Sequence, residues 1–396
     1  MTAQHSLVVA FGLPLDLRET GPDRPASPAR QAWEAVRRAG GHAVTATGPA
    51  PSGSSLLREA GASVFVGDRI HHVEASRAAG VVSVAVLTGG CTAEELLAGG
   101  AHVVLDDLAA FPSWLDSYLL EQRLAALERD LHARGSVMVA FSGGADSAFL
   151  LAAAARALGP GNVAAATAYS DSLPHSERGP AVEFARDLGV RVYTPQTHEM
   201  EREGYRANAG NRCYFCKAEL LDVLGPLAEQ HGFAHVATGT NADDAVAGFR
   251  PGIRAADERG AITPLRDAGL TKQQIRAASR QWDLPTWDKP AAACLSSRIA
   301  YGVEVSPFRL SRVERAEVAV RAALDAAGVA VRNLRVRDLG DRARIEIDAD
   351  LVARAGELPV VVDAARAAGF VDAEIDPKGF RSGAMNELLA RPDVYR

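Results

Sequence analysis

Lysine is close to absent. Of 43 basic side chains in 396 residues, Lys217, Lys272, Lys289 and Lys378 are the only lysines. Residues 1–216 contain none, so that stretch supplies no lysine of its own. Cysteine is scarce too. Cys91, Cys213, Cys216 and Cys294 are too few for a disulfide framework and point to a reducing, cytoplasmic setting. No apolar run reaches the roughly 18 residues a membrane span needs. The longest, AFLLAAAARAL from Ala148, already carries Arg156. The first residues show no basic stretch followed by an apolar one, the mark of a secretory signal. A net charge of −6 argues against a broad nucleic-acid-binding face. What is present suits an ordinary globular protein, 47% hydrophobic and 23% charged. The length allows two or three domains at roughly 100–200 residues each.

The chain reads as segments 1–112, 113–134, 135–290 and 291–396. In the first, short apolar runs (SLVVAFG, HAVTATG, ASVFVGD, VVSVAVLTGG, AHVVLDD) alternate with helical patterns. That alternation predicts a parallel sheet covered on both faces. Residues 113–134 predict a helical connector. The third segment resumes strand–helix alternation with SVMVAFSGG, NVAAATAYS, RVYTPQT and HVATGTNADD. The last reads as a smaller α+β unit with a long helix and strands NLRVRDLG, ARIEIDA and VDAEID.

The strongest local signal is SGGADS, Ser142 to Ser147, between an apolar strand and a helix. Glycines let backbone N–H groups close around phosphate oxygens, and the helix N-terminus adds partial positive charge. Ser142, Gly143, Gly144, Asp146 and Ser147 are the candidate nucleotide contacts, with Asp146 able to cap the helix or hold Mg²⁺. The loop lacks the Gly-Lys-Ser/Thr of a Walker A motif. Further stretches fall at strand ends, where open α/β sheets bind ligands. They are Tyr169 and Ser170, then Gly239, Asp243 and Asp244 in GTNADD, with Arg250 shortly after. Asp243 and Asp244 suit ribose or metal contact, or helix capping.

Cys213 and Cys216 form a C-x-x-C pair in NRCYFCK. Such a pair can be half a zinc site, a redox dithiol, part of an iron–sulfur cluster, or two buried thiols. Cys294, in KPAAACLSSRIAYG, raises the count to three. Zinc would need a fourth ligand; His198 and His231 lie in the segment, but neither forms a convincing pattern. Three thiolates with one open position suit a cluster. Cys91 reads as a core or loop thiol. Arg335 and Arg337, two apart on a strand, share a face. They could clamp a phosphate or carboxylate, or form a solvated strand face or a subunit contact. Glu317 and Asp376 are weaker acidic candidates.

Three resemblances follow. VFVGDRIHHVEASRAAGVVSVAVLTGG resembles the late part of haloacid-dehalogenase-like (HAD) phosphatases, over most of residues 5–112. Gly67 and Asp68 stand where that family keeps a magnesium-binding Gly-Asp, but the second acid is replaced by His72. Gly12 and Pro14 stand where its two motif aspartates would be. A phosphoaspartate mechanism needs a carboxylate nucleophile and an acid, so a catalytically dead domain is expected; Asp16 is the remaining candidate for a displaced nucleophile. SGGADS resembles the PP-loop ATP pyrophosphatases, which split ATP between the α and β phosphates. Together, SGGADS, NRCYFCK, GTNADD, RPG, KPAAACLSSRIAYG, RVRDLGDRARIEI and GFRSGAMNE resemble the ATP-dependent sacrificial sulfur transferases of nickel-pincer nucleotide biosynthesis, the LarE family, over residues 118–396.

This likeness implies an α/β protein. A doubly wound parallel PP-loop sheet (adenine nucleotide alpha hydrolase-like) would be flanked by a C-terminal α+β substrate or oligomerisation domain and an N-terminal HAD-like domain. It also implies adenylation of a carboxylate of pyridinium-3,5-biscarboxylic acid mononucleotide and its conversion to a thiocarboxylate. Expected cofactors are ATP, Mg²⁺ at Asp146 and Asp244, and a [4Fe–4S] cluster on Cys213, Cys216 and Cys294. The alternative is direct sacrifice of Cys294. Ser297 and Arg298 fall beside Cys294, and Arg335, Arg337 and Arg250 would bind substrate. Expected partners are the small-molecule nucleotide, a second copy of the chain and other nickel-pincer biosynthesis proteins, with neither membrane nor nucleic acid. A PP-loop tRNA thiolase and a non-catalytic nucleotide-binding assembly protein are the competing readings.

Overall fold

The computed structural model describes residues 7–13, 26–46, 50–246, 251–290, 294–381 and 383–388. It divides into two compact units, 1–122 and 123–396.

The first unit is built on a five-stranded, all-parallel sheet of order β2-β1-β3-β4-β5. The strands are β1 (Val8–Phe11), β2 (His42–Thr45), β3 (Val64–Gly67), β4 (Val82–Val86) and β5 (Val103–Leu105). Every residue of β1 and β3 is buried, as for parallel strands covered on both faces. The helices between them are α1 (Pro28–Arg38), α2 (Ala50–Glu59), α3 (Ile70–Ala79) and α4 (Ala93–Ala98). Their ends follow local chemistry. Ser27 accepts from the Arg30 N–H ahead of Pro28, Thr92 and Glu95 form a capping box, and Gly80 ends α3 in the left-handed region. The unit boundary falls inside α5 (Phe111–Arg134).

The second unit opens with β6 (Val137–Ala140), β7 (Val163–Ala166), β8 (Arg191–Tyr193) and β9 (His235–Thr238), all parallel in the order β8-β7-β6-β9. The chain leaves β6 on one side to reach β7 and returns to its other side with β9. That reversal opens a crevice at the carboxyl ends of the strands. The main helices are α6 (Ala145–Leu158), α7 (His175–Asp187), α9 (Arg212–Gln230) and α13 (Lys272–Gln281). Shorter ones are α8 (Glu203–Arg206), α10 (Ala242–Val246), α11 (Pro251–Glu258) and α12 (Pro264–Asp267). Helix α6 is buried all round from Ala148 to Ala154, as its unbroken apolar run requires.

In the same unit, β10 (Leu334–Asp338) pairs antiparallel with β11 (Arg342–Ile347), and β12 (Asp372–Ile375) pairs parallel with β11. Helices α14 (Pro307–Ala326), α15 (Val352–Gly356) and α16 (Pro359–Ala367) accompany them. The apolar core of this part takes in Tyr205, fully buried, from the preceding segment. Residues 135–290 and 291–396 lie in the same compact unit. No described helix is long and apolar enough to cross a membrane.

Candidate functional site

A cavity of about 470 Å³ lies at the carboxyl ends of β6, β7 and β9. One wall is the loop between β6 and α6. Gly143 turns there with φ +72°, a conformation glycine adopts without penalty. The Ser147 hydroxyl accepts from the Ser142 N–H at 3.3 Å, donates to the Gly144 carbonyl at 3.1 Å and lies 3.1 Å from the Ser142 hydroxyl. These bonds curl the loop over the α6 N-terminus, where the backbone dipoles favour an anion. Gly239, just past β9, presses on this loop: a Cβ there would lie 2.9 Å from the Ser147 nitrogen. Ser170 lines the cavity and its hydroxyl accepts from the Ser172 N–H at 3.2 Å.

Asp146 and Asp244 are both on the cavity wall. Asp146 Oδ1 is buried and has no hydrogen-bond partner. Burial pushes the Asp146 carboxyl above its usual range; Asp244 adds to this, while Lys272 and Arg276 oppose it. An orphaned hard oxygen beside a second carboxylate fits a magnesium ion in its donor chemistry. Asp243 is placed differently. It is exposed and its carboxylate accepts the Lys272 N–H at 2.7 Å, capping α13. Arg250 lies outside the described residues.

Sequence reasoning named the four lysines without giving them a role. Three of them, Lys217, Lys272 and Lys289, line this cavity. Lys272 Nζ is 4.0 Å from Asp146 Oδ2. Lys289 Nζ donates to the Gly143 carbonyl at 3.0 Å and to Glu177 at 2.6 Å. Burial pulls the Lys217 ammonium below its usual range, against the pull of Cys216, Cys213 and Asp244. In a chain that uses arginine elsewhere, the scarcity itself was the signal.

Two of the three candidate thiols, Cys216 and Cys294, line the same cavity. Cys213 is exposed, one turn before Cys216 on α9. Burial pushes the Cys216 thiol well up, and Cys294, Glu199 and Cys213 add to the shift. The buried Arg212 feels both Cys294 and Cys213, so the three sulfurs are electrostatic neighbours. Among the described residues, no three His, Cys, Asp or Glu side chains converge closely enough to hold a metal ion. A soft, neighbouring thiolate set would suit an iron–sulfur cluster in its donor chemistry.

The turn carrying Cys294 is held from behind. The Cys294 carbonyl accepts from the Ser297 hydroxyl at 2.7 Å and from Arg298 Nη1 at 2.9 Å. Arg298 is paired with Glu317 at 3.0 Å. Arg337 is buried against Glu346 at 2.6 and 2.8 Å and reaches the Ser297 carbonyl at 3.3 Å. Asp376 lies 3.6 Å from Arg344. Arg335 differs: burial pulls it down to about 10, with repulsion from Arg298 and Arg337 adding to the effect. The Ser296 hydroxyl is 2.9 Å from the Cys294 sulfur.

In the first unit, the HAD-like positions are filled by other groups. A Cβ on Gly12 would lie 2.5 Å from the Phe65 ring and 3.2 Å from His72. The Asp68 N–H donates to His72 Nδ1 at 3.2 Å. Burial and neighbouring His71 hold that imidazole below its usual range. Pro14 and Asp16 lie outside the described residues, and Cys91 packs at the edge of an apolar cluster.

Known proteins resemble both parts. Residues 35–111 match a family model described as HAD-hydrolase-like. An uncharacterized protein of Synechocystis is 38% identical over 276 residues, 69% of this chain and all of the relative. A Methanocaldococcus jannaschii protein, also uncharacterized, is 29% identical over 175 residues, 44% of this chain and 66% of its own length. The pyridinium-3,5-bisthiocarboxylic acid mononucleotide synthase of Lactiplantibacillus plantarum is 32% identical over 275 residues, 68% of this chain and 95% of that enzyme. With that identity spread over nearly the whole synthase, the chain belongs to its family, the LarE family.

Proposed function

We propose that this chain is an ATP-dependent sulfur transferase for nickel-pincer nucleotide biosynthesis. It adenylates a carboxylate of pyridinium-3,5-biscarboxylic acid mononucleotide and converts it to a thiocarboxylate. The observation that carries this reading is the meeting of the Ser142–Ser147 loop with the thiols of Cys216 and Cys294 in one cavity. The loop's N–H groups and the α6 dipole bind the phosphates. Asp146 and Asp244 would hold Mg²⁺, which supplies positive charge to the phosphate chain. A substrate carboxylate oxygen bonds to the α-phosphorus, the bond from that phosphorus to the bridging oxygen breaks, and pyrophosphate leaves. Sulfur then attacks the activated carbonyl, and AMP departs with the oxygen.

Cys213, Cys216 and Cys294 would hold a [4Fe–4S] cluster, which supplies an open iron able to carry an extra sulfide. Ser297, Arg298 and Arg337 keep the Cys294 backbone still. Arg335, half-buried among like charges, suits an anionic group of the substrate. The N-terminal unit is catalytically silent in this reading, because Phe65 and His72 occupy the space an acidic side chain at position 12 would need.

Anaerobically purified protein tests this. Iron and sulfide content should indicate a cluster, and pyrophosphate release should depend on the mononucleotide. Cys213→Ala and Cys216→Ala should lose both iron and activity. Iron absent from the wild type, with both variants fully active, removes the cluster. A mass loss of about 34 Da (H₂S) at Cys294 after turnover identifies direct sacrifice. Nucleotide binding without pyrophosphate release leaves an assembly protein instead.

A further inference from the structure

Lys289 is held by partners that a phosphate chain would challenge. Its ammonium donates to the Gly143 carbonyl at 3.0 Å and to Glu177 Oε2 at 2.6 Å. Gly143 belongs to the phosphate loop. Glu177, in the first turn of α7, stands beside it: a Cβ on Gly143 would lie 3.9 Å from Glu177 Oε2. A carboxylate is thus placed next to the loop that receives several negative charges. Without a cation between them the two would repel, and the low-dielectric protein around the cavity strengthens that repulsion. The Lys289 backbone is also fixed, because Arg276 Nη2 donates to its carbonyl at 2.9 Å. Arg276 lines the cavity one turn along α13 from Lys272. Lys272, Arg276 and Lys289 make a cationic wall from one helix and the loop after it.

We propose that Lys289 is a positioning residue for the β- and γ-phosphates of ATP and for departing pyrophosphate, and that Glu177 competes with those phosphates for its ammonium. This rests on the ATP-dependent adenylation reading. A lysine suits the exchange because its three donors are not bound to a fixed plane. It can keep the Gly143 carbonyl while trading a carboxylate oxygen for a phosphate oxygen. No proton moves. When the bond between the α-phosphorus and the bridging oxygen breaks, the electron pair stays on the pyrophosphate, and the ammonium offsets that charge.

The two partners of this ion pair should therefore respond in opposite directions. Calorimetric titration of the full chain with pyrophosphate and with α,β-methylene-ATP, both with Mg²⁺, measures this. Lys289→Met should weaken pyrophosphate binding by at least about tenfold, the worth of one hydrogen bond to a charged group. Glu177→Gln should tighten it several-fold, and Lys289→Arg should restore most of the affinity. An ion pair with only a structural role predicts equal losses of melting temperature and no divergence in affinity. Unchanged binding in Lys289→Met, or weakened binding in Glu177→Gln, overturns the inference. Should Lys289→Met not fold, Glu177→Gln decides alone: tighter binding supports the inference and anything else removes it. A wild-type protein that binds neither ligand removes the adenylation reading itself. Wild-type binding without the divergence removes this inference only.

Discussion

At the scale of single residues, Arg335 and Arg337 show how one sequence pattern can hold two roles. Both point to one side of β10, as their spacing of two requires. Arg337 is only 6% exposed and satisfies Glu346, which is fully buried. Without Arg337, the buried Glu346 keeps only Arg344 among the described residues, at 3.2 Å, so Arg337→Ala should cost about 3 kcal/mol of stability. A denaturant midpoint measures it. Burial, with repulsion from Arg298 and Arg337, pulls Arg335 down to about 10 against the pull of Glu317, a setting an anionic ligand relieves. Arg335→Ala should lower the midpoint less than Arg337→Ala does and raise the KM for the pyridinium mononucleotide about tenfold or more. Equal loss of stability in the two variants would put both arginines in the scaffold. The pair was legible in the sequence; the division of labour was not, because the partner Glu346 lies on the next strand. The lysines were named in the sequence without a role for a related reason. A composition bias names no place, and Lys217, Lys272 and Lys289 come together only when α9, α13 and the following loop fold around one crevice.

At the scale of elements, all twelve described strands overlap the apolar runs that predicted them. Short valine- and alanine-rich runs bounded by glycine and polar residues leave little ambiguity. The turn carrying Cys294 was harder, since it depends on distant groups: Leu295 N–H donates to the Ser172 carbonyl, and Ala300 N–H to that of Asp338. The entry to β10 has a similar anchor. Asp348 accepts from the Arg332 N–H at 2.7 Å, the Asn333 N–H at 3.0 Å and the Asn333 side chain at 2.6 Å. Burial alone would raise this carboxyl, but the hydrogen bonds outweigh it and hold it below its usual range. A folded pKa below the unfolded one means stability that is fully present above the unfolded value and lost as pH falls through the folded value. Asp348→Asn should therefore be less stable than wild type at neutral pH. The gap should narrow through the acid range below the ordinary aspartate pKa of roughly 3.9. Unfolding midpoints at stepped pH give the test, and a pH-independent gap would show that the carboxylate charge is not what matters.

At the scale of the whole molecule, the chain carries more than its family requires. The Synechocystis relative is matched along its full length by 69% of this chain, and the Lactiplantibacillus synthase along 95% by 68%. The matched length is close to that of the 123–396 unit. That unit has its own sheets, its own core and the cavity with loop, lysines and thiols. The first unit keeps the parallel sheet of a HAD-like fold, with a family-model match over residues 35–111. A Cβ at position 12 would lie 2.5 Å from the Phe65 ring, so a side chain there requires that ring to shift, and His72 Nδ1 accepts the Asp68 N–H. Converting Gly12 to Asp should therefore not create a phosphatase, since the new carboxylate would have to displace an aromatic ring from a buried core, where overpacking costs roughly 1–3 kcal/mol. The expected result is a lower melting temperature and no turnover of p-nitrophenyl phosphate in either wild type or Gly12→Asp. Phosphate-ester turnover in the wild type that Asp68→Ala abolishes would instead reveal a working hydrolase built around Asp68.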